Sequence, residues 1–255
     1  MPRALVLAYG LICYAVFFLV FLYMVAFVVA IDGVVPRTLA PGEGGSLSSV
    51  LLVNLGLLLL FGVQHSVMAR SSFKHRVSAW LPPPVERSTY VLATSLILML
   101  IFAAWRPLPG MVWQASSPAL VWGLWALNLC GWCIVLLATF LTNHFDLFGL
   151  RQVWLHWRRQ SYQPVPFREW LFYRSIRHPM MLGLFIAFWA TPQMSLNHLL
   201  FSAGMSIYIL IGVHFEERAL RRELGQPYCD YERRTGRFLP RLLPAGARQP
   251  QNVTG

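Results

Sequence analysis

Long apolar runs separated by short polar stretches dominate the chain. The first four, Ala4–Ile31, Leu47–Ala69, Ser88–Trp105 and Ala119–Leu141, contain no Asp, Glu, Lys or Arg. About 20 helical residues cross the hydrocarbon of a bilayer, so each run predicts a span. A fifth run, Pro179–Thr191, is shorter, and a sixth, Leu199–Val213, follows a turn over Pro192–His198. These two predict a tight helical hairpin that need not reach full depth. Beyond it, Phe215, Ala219, Leu220 and Leu224 form an apolar stripe at helical spacing. Glu217 and Arg221 are an i,i+4 pair, and Gly225 and Pro227 stop the helix. This predicts an amphipathic helix on the membrane surface with its charges solvated. Glu216 is the exception, standing at the mouth one turn past the last span. The expected fold is an all-α integral membrane protein with about six hydrophobic segments. It forms one transmembrane domain over 1–255: four spans in 1–141, a core in 142–240 and a flexible tail in 241–255.

Composition supports the same class. Of 255 residues, 56% are hydrophobic and 12% charged, about half the charged share of a soluble domain. Mean hydropathy is +0.53. An ordinary soluble enzyme, a disordered chain and a disulfide-stapled secreted domain are excluded. The first run is too long for a signal-peptide core, and no small-residue cleavage site follows it.

Net charge is +11. In a soluble chain this would suggest nucleic acid, but loop arginines in a membrane protein mark the cytoplasmic side. Loop 32–46 nets −1, loop 70–87 +3, loop 106–118 +1, loop 142–178 +4 and the tail from His214 +3. The alternation fits six crossings with both termini in the cytosol. Polar material then gathers on the cytosolic face. The spans lack charged centres, which argues against a channel or transporter.

Cysteine implies no disulfide framework. Cys130 and Cys133 make a C-x-x-C inside an apolar run, where a thiolate is poorly solvated. His65, His144, His178 and His214 lie near cytosolic ends of spans, whereas His75, His156 and His198 are loop residues. The four can be read as metal or haem ligands, but no two share a helix at ligand spacing; no metal is expected.

Chemistry concentrates in two stretches. In Tyr173-Arg-Ser-Ile-Arg177-His178-Pro179-Met180-Met181-Leu-Gly183, Pro179 fits the first position of a helix, with His178 near its cap. The free amides of that first turn, strengthened by Arg177, would take a carboxylate; equally, the stretch is a basic anchor capping a membrane helix. The second stretch carries Glu216, whose carboxylate can face a cationic amine or ribose hydroxyls.

Taken together, R-H-P-x-x-x-G, an apolar hairpin and E-E-x-x-L-x-x-x-x-G-x-x-Y-x-x-Y resemble the integral-membrane methyltransferases of the isoprenylcysteine carboxyl methyltransferase and phospholipid methyltransferase superfamily. The resemblance covers about residues 165–240. It implies S-adenosyl-L-methionine as cofactor, at the cytosolic end of the hairpin. Tyr173, Arg177, His178, Pro179, Met180 and Met181 would line that pocket, with Glu216 opposite. Met181 replaces a usual tyrosine, and Val165–Arg168 lacks the usual His-Leu pattern of a further cofactor segment. Gly212 stands where the prenylcysteine branch carries a substrate-contacting arginine, which argues against a bulky prenylated or carboxylate substrate.

The N-terminal half narrows the resemblance. Gln64-His65-Ser66-x-Met68-Ala69-Arg70, Phe73-Lys74, Glu86-Arg87-Ser88-Thr89-Tyr90, Trp105-x-Pro107 and Thr142-Asn-His144-Phe-Asp146-Leu-Phe-Gly149-Leu-Arg151-Gln152 resemble the branch of membrane methanethiol S-methyltransferases and NnrU-type proteins. The implied reaction is methyl transfer from S-adenosyl-L-methionine to a small volatile thiol, methanethiol giving dimethyl sulfide. A thiol attacks well only as thiolate, so a base or positive field is needed. His144 is the expected base, with Asp146 to orient it and Arg151 to supply field. His65, Phe145, Phe148 and Trp154, with Trp157, are candidates for the substrate pocket; as interfacial aromatics, the phenylalanines and tryptophans serve equally to anchor the loop. A bacterial inner membrane with the site facing the cytosol is expected, with the bilayer as partner and no nucleic acid. Two alternatives stay open: a membrane methyltransferase for a lipid or another thiol, and an NnrU-like protein of nitrogen-oxide metabolism.

Overall fold

The computed structural model describes residues 2–31, 33–165 and 169–241. Most of the expected tail, from residue 242 on, and Pro166–Arg168 of the loosely matched cofactor segment lie outside the described residues. Among the described residues, five helices are long and apolar enough to cross a membrane: α1 (Arg3–Val29), α2 (Leu47–Ala69), α4 (Pro83–Ala104), α5 (Pro118–Leu141) and α9 (Leu196–Leu224). A short helix α3 (Ser71–Val77) joins α2 to α4, and α6 (His144–Leu147) and α7 (Leu150–Trp157) follow α5. The sixth apolar run becomes part of α9; the fifth is α8 (Pro179–Trp189), of 11 residues. At 1.5 Å per residue α8 is about 16 Å long, half the hydrocarbon thickness.

After α8 the chain is extended. Strand β2 (Gln193–Ser195) pairs antiparallel with β1 (Met111–Gln114) from the loop after α4. Backbone amides in an apolar setting need partners, and the rest of this end supplies them. Ser195 Oγ donates to the Leu39 carbonyl at 2.6 Å, and Asn197 Nδ2 to that of Ala40 at 3.1 Å. His198 Nε2 and Ser202 Oγ lie 2.8 and 2.9 Å from the carbonyl at the end of α8, Phe188 O. His198, read from sequence as a loop residue, is thus a buried part of α9.

α5 and α8 pack most intimately. A Cβ on Gly131 would sit 2.7 Å from Ala187 N, and one on Gly183 2.7 Å from Gly131 O, so only glycine permits this crossing. Small residues drive such approaches where no hydrophobic force separates helix from lipid. Asn128 Nδ2 donates to the Ala187 carbonyl at 2.8 Å. The pairs Asn128–Ala187, Gly131–Gly183 and Val135–Gly183 fix an antiparallel register. One turn further, Thr139 comes level with Pro179, so the end of α5 and the start of α8 share one end of the molecule.

The last span and the amphipathic segment form one continuous helix of 29 residues. No proline interrupts it before Gly225, whose φ of +62 ends α9, and α10 (Gln226–Arg234) folds back. The charges are not all solvated as expected. Phe215 of the apolar stripe is exposed, while Val213 and Glu217 form the buried face.

Candidate active site

Two neighbouring arrangements occupy the end where α5 finishes and α8 begins. The first is built by the turn after α5. Asn143 adopts φ +82 and its side chain accepts from Asp146 N at 3.2 Å, starting α6. Asparagine tolerates this left-handed backbone because its short amide bonds locally. Gly149, φ +88, ends the turn; a Cβ there would meet Ser88 Oγ at 2.6 Å. α7 then docks on α1, with Val153 filling the space left by Gly10. The Arg87 Nε donates to the Leu147 carbonyl at 2.7 Å, tying the turn to α4.

This turn buries His144, which is 6% exposed. Its Nε2 lies 2.8 Å from Tyr14 Oη and its Nδ1 2.9 Å from Thr139 Oγ1. Phe140 stacks on the ring at 4.4 Å and 8°. Phe145 and Phe148 meet it edge-on at 5.4 and 4.9 Å. Burial holds the imidazole below its ordinary pKa of 6.5, so the neutral form is favoured. The expected Asp146 partnership is replaced by another. Asp146 accepts from Arg151 at 2.9 Å and from Tyr162 at 3.2 Å, while the imidazole nitrogens are taken by two hydroxyls. Arg151 also donates to the Gln163 carbonyl at 2.9 Å.

Beside this turn lies a cavity of about 350 Å³ lined by Leu7, Leu11, Asn143, Phe145, Leu150, Arg151 and Trp154. It gathers two expected pocket residues, Phe145 and Trp154, with Arg151. Phe148 instead stacks on Phe17 at 3.9 Å. His65 stands in a different place, between α2 and α4: its Nε2 is 2.7 Å from Tyr90 Oη and its Nδ1 3.3 Å from Thr94 Oγ1.

The second arrangement centres on Glu217, which is fully buried at 0% exposure. Its Oε1 accepts from Arg177 Nε at 2.9 Å and faces His178 Nε2 at 3.2 Å; its Oε2 accepts from Arg237 Nη2 at 2.5 Å. Arg177 Nη1 donates to the carbonyls of Thr235 and Glu232 at 2.6 and 3.1 Å. Backbone pairing of Ile176 with Gly236, and His178 N to the Arg237 carbonyl at 3.1 Å, lays the segment after α10 along the start of α8. Arg177 is 7% exposed. Its Nε and Nη1 donors are therefore committed to the protein and do not present an anion site. Sequence reading missed Glu217, Thr235 and Arg237. The only hint was the second glutamate of the pair, since a local i,i+4 rule already accounted for it.

Around this hub stand the groups free to meet a ligand. Glu216 is half-exposed, its Oε2 3.7 Å from His178 Nδ1. Tyr173 lies in a 3-10 turn over Leu171–Arg174, anchored through its carbonyl by Tyr231 Oη at 2.7 Å. Burial, then the nearby Glu216 charge, push its phenol up to about 12. His178 is held below its ordinary value mainly by burial, against the pull of Glu217. Pro179 begins α8 and the His178 side chain does not cap it, so the first-turn amides of Met180 and Met181 have no partner within the helix. The Met181 side chain packs on the core. A carboxylate, a phenol and first-turn amides suit a zwitterionic ligand with hydroxyls. Among the described residues, no three of His, Cys, Asp and Glu gather to hold a metal.

The family described as NnrU protein matches residues 52–245. A methanethiol S-methyltransferase of Mycobacterium tuberculosis is 48% identical, over 94% of this chain and 98% of its own. Methanethiol S-methyltransferase 2 of Bradyrhizobium diazoefficiens is 46% identical, over 94% and 92%. A methanethiol S-methyltransferase of Crocosphaera subtropica is 42% identical, over 96% and 93%. No solved structure matches. On a match spanning most of its length and these full-length relatives, the chain belongs to the NnrU protein family, in the branch that holds the methanethiol S-methyltransferases.

Proposed function

We propose that the protein is a membrane S-methyltransferase that converts methanethiol to dimethyl sulfide with S-adenosyl-L-methionine as methyl donor. One observation carries the reading: a buried neutral imidazole and a half-exposed carboxylate with open helix amides stand at the same end of the α5–α8 pair. The names of the full-length relatives support the substrate.

The donor supplies an electrophilic methyl on a sulfonium. The chain's task is to bind, align and deprotonate, since in-line displacement gains most from proximity. Glu216 would hold the ammonium or the ribose hydroxyls, and the amides of Met180 and Met181 the carboxylate. Tyr173 and His178 would flank it. Arg177 acts by holding Glu217 and the segment around Arg237, which fixes His178. His144 is the base: its depressed pKa keeps it free of a proton at neutral pH. The cavity beside Phe145, Arg151 and Trp154 suits a small apolar thiol arriving from the bilayer. The positive charge of loops 142–178 and 70–87 supports a site facing the cytosol, as in a bacterial inner membrane.

Purified protein given both compounds should release dimethyl sulfide, read by gas chromatography. No product while calorimetry reports donor binding would defeat the substrate assignment. Failure to bind the donor at all would defeat the methyltransferase reading.

A further inference from the structure

Hydrogen-bond counting at His144 fixes where its proton sits. Thr139 Oγ1 has one proton and lies 2.6 Å from the Leu136 carbonyl oxygen, which can only accept. That proton is committed, so at 2.9 Å from His144 Nδ1 the hydroxyl accepts. Nδ1 therefore carries the ring proton. In the neutral ring Nε2 then holds the lone pair, and it accepts from Tyr14 O–H at 2.8 Å.

The basic nitrogen is thus covered by a hydroxyl. Phe140 lies over one ring face, Phe145 and Phe148 close its edges, and little of the residue reaches solvent. A thiol cannot touch Nε2 without displacing Tyr14. Tyr14 itself is half-buried, and its ring lies 6.0 to 6.4 Å from those of Phe17, Phe145 and Phe148. Tyr14 does not itself line the cavity described above but adjoins it through Phe145 and through Leu11, one turn earlier on α1. Charged groups of the surrounding turn are engaged elsewhere: Asp146 with Arg151 and Tyr162, and on α1 Tyr9 is bonded to Thr89.

We propose that Tyr14 is the residue that meets the acceptor thiol and relays its proton to His144. The proposal rests on the thiol S-methyltransferase reading above. In the step, the thiol proton passes to Tyr14 Oη as the Tyr14 proton passes to His144 Nε2. The thiol sulfur keeps the electron pair of its S–H bond and forms the new S–C bond with the methyl of a sulfonium donor. The donor's C–S bond breaks, its electrons return to the donor sulfur, and the imidazolium later loses its proton to water. Nothing in the sequence marked Tyr14, which lies inside the uninterrupted first run.

Tyr14→Phe keeps the ring and removes the relay. Turnover of methanethiol at pH 7 should fall by about 10²–10⁴-fold, the usual reach of acid–base catalysis. It should recover as pH rises toward the thiol's own pKa, and a thiol already ionised at pH 7 should be methylated at near the wild-type rate. Calorimetric donor affinity should not change. A second readout needs neither donor nor turnover: nitrogen NMR of histidine-labelled wild-type protein should show neutral His144 with its proton on Nδ1. A wild-type rate and pH profile in Tyr14→Phe, or a wild-type ring protonated on Nε2, overturns the relay. Wild-type protein that binds donor yet methylates no thiol overturns the underlying reading, and the role of Tyr14 toward a thiol with it. Failure of the variant test in an active wild type overturns the relay alone.

Discussion

The two halves of the site satisfy buried polar groups in opposite ways. Around Glu217 the partners are charged: two arginines converge on one carboxylate, with backbone carbonyls taking Nη1 of Arg177. Around His144 they are neutral hydroxyls within an aromatic wall. A buried ion pair holds geometry, because separating it leaves an uncompensated charge. A ring bonded only to neutral hydroxyls rests uncharged and keeps a lone pair that can take a proton. On the proposed function, the clamp would fix the donor's binding end and the hydroxyl-imidazole array would move a proton. The difference also bears on the glutamate pair: Glu217 is buried and ties the fold together, while Glu216 is left exposed.

The sharpest way to break this division is Glu217→Ala. It leaves Arg177 and Arg237 facing each other, and loss of one partner of a buried pair costs about 3–5 kcal/mol. Thermal melting in detergent should drop strongly, with donor binding and turnover lost together. Melting like that of the wild type would show that the clamp is not structural. His144→Ala should cut turnover by about 10²–10⁴-fold while calorimetric donor affinity stays near normal; loss of donor binding would move His144 to the other half of the site. Glu216→Ala should give the reverse pattern, with donor affinity weakened about 10- to 100-fold, as for a lost hydrogen bond to a charged group, and melting unchanged.

Acid titration separates the halves more finely. Burial lowers the pKa of both His144 and His178 below 6.5. Both groups bind a proton more readily unfolded, so their contribution to stability is present above about pH 6.5 and is lost as pH falls through the folded values. The acid limb of turnover should accordingly lie below 6.5 in a pH–rate profile; a limb at or above 6.5 would remove His144 as a neutral base. The smallest effect is expected at the Asp146–Arg151 pair. It is part-exposed, and a double-mutant cycle on melting should give about 0.2–1 kcal/mol.

Much of this was legible along the chain. Uninterrupted apolar runs placed four spans, because a run of about twenty apolar residues has one stable use in water and lipid. Pro179 placed the start of α8, and Gly225 the end of α9. The turn from Thr142 to Gln152 stood out as a motif, and the structure gives it physical reasons: a left-handed asparagine cap, a glycine pressed on Ser88, and Gln152 Nε2 donating to the Asp146 carbonyl at 3.1 Å. Glu217 was misread because an i,i+4 rule sees only its own helix, where Arg221 is present at 3.8 Å. Its closer partners come from 40 residues before and 20 after. Arg177 was read as an anion site for the same reason.

Sequence alone determined that the protein belongs in a membrane, where along the chain its positive charge gathers, and which short stretches are candidates for chemistry. These follow from local quantities: hydropathy, charge and the backbone demands of proline, glycine and asparagine. Tertiary structure decided which arginine is committed, which glutamate is buried, and that a tyrosine of the first span covers the basic nitrogen of His144. Those outcomes depend on partners brought together by helix packing across 130 residues of chain in the case of Tyr14 and His144. No periodicity or motif spacing encodes a contact made only when the helices close.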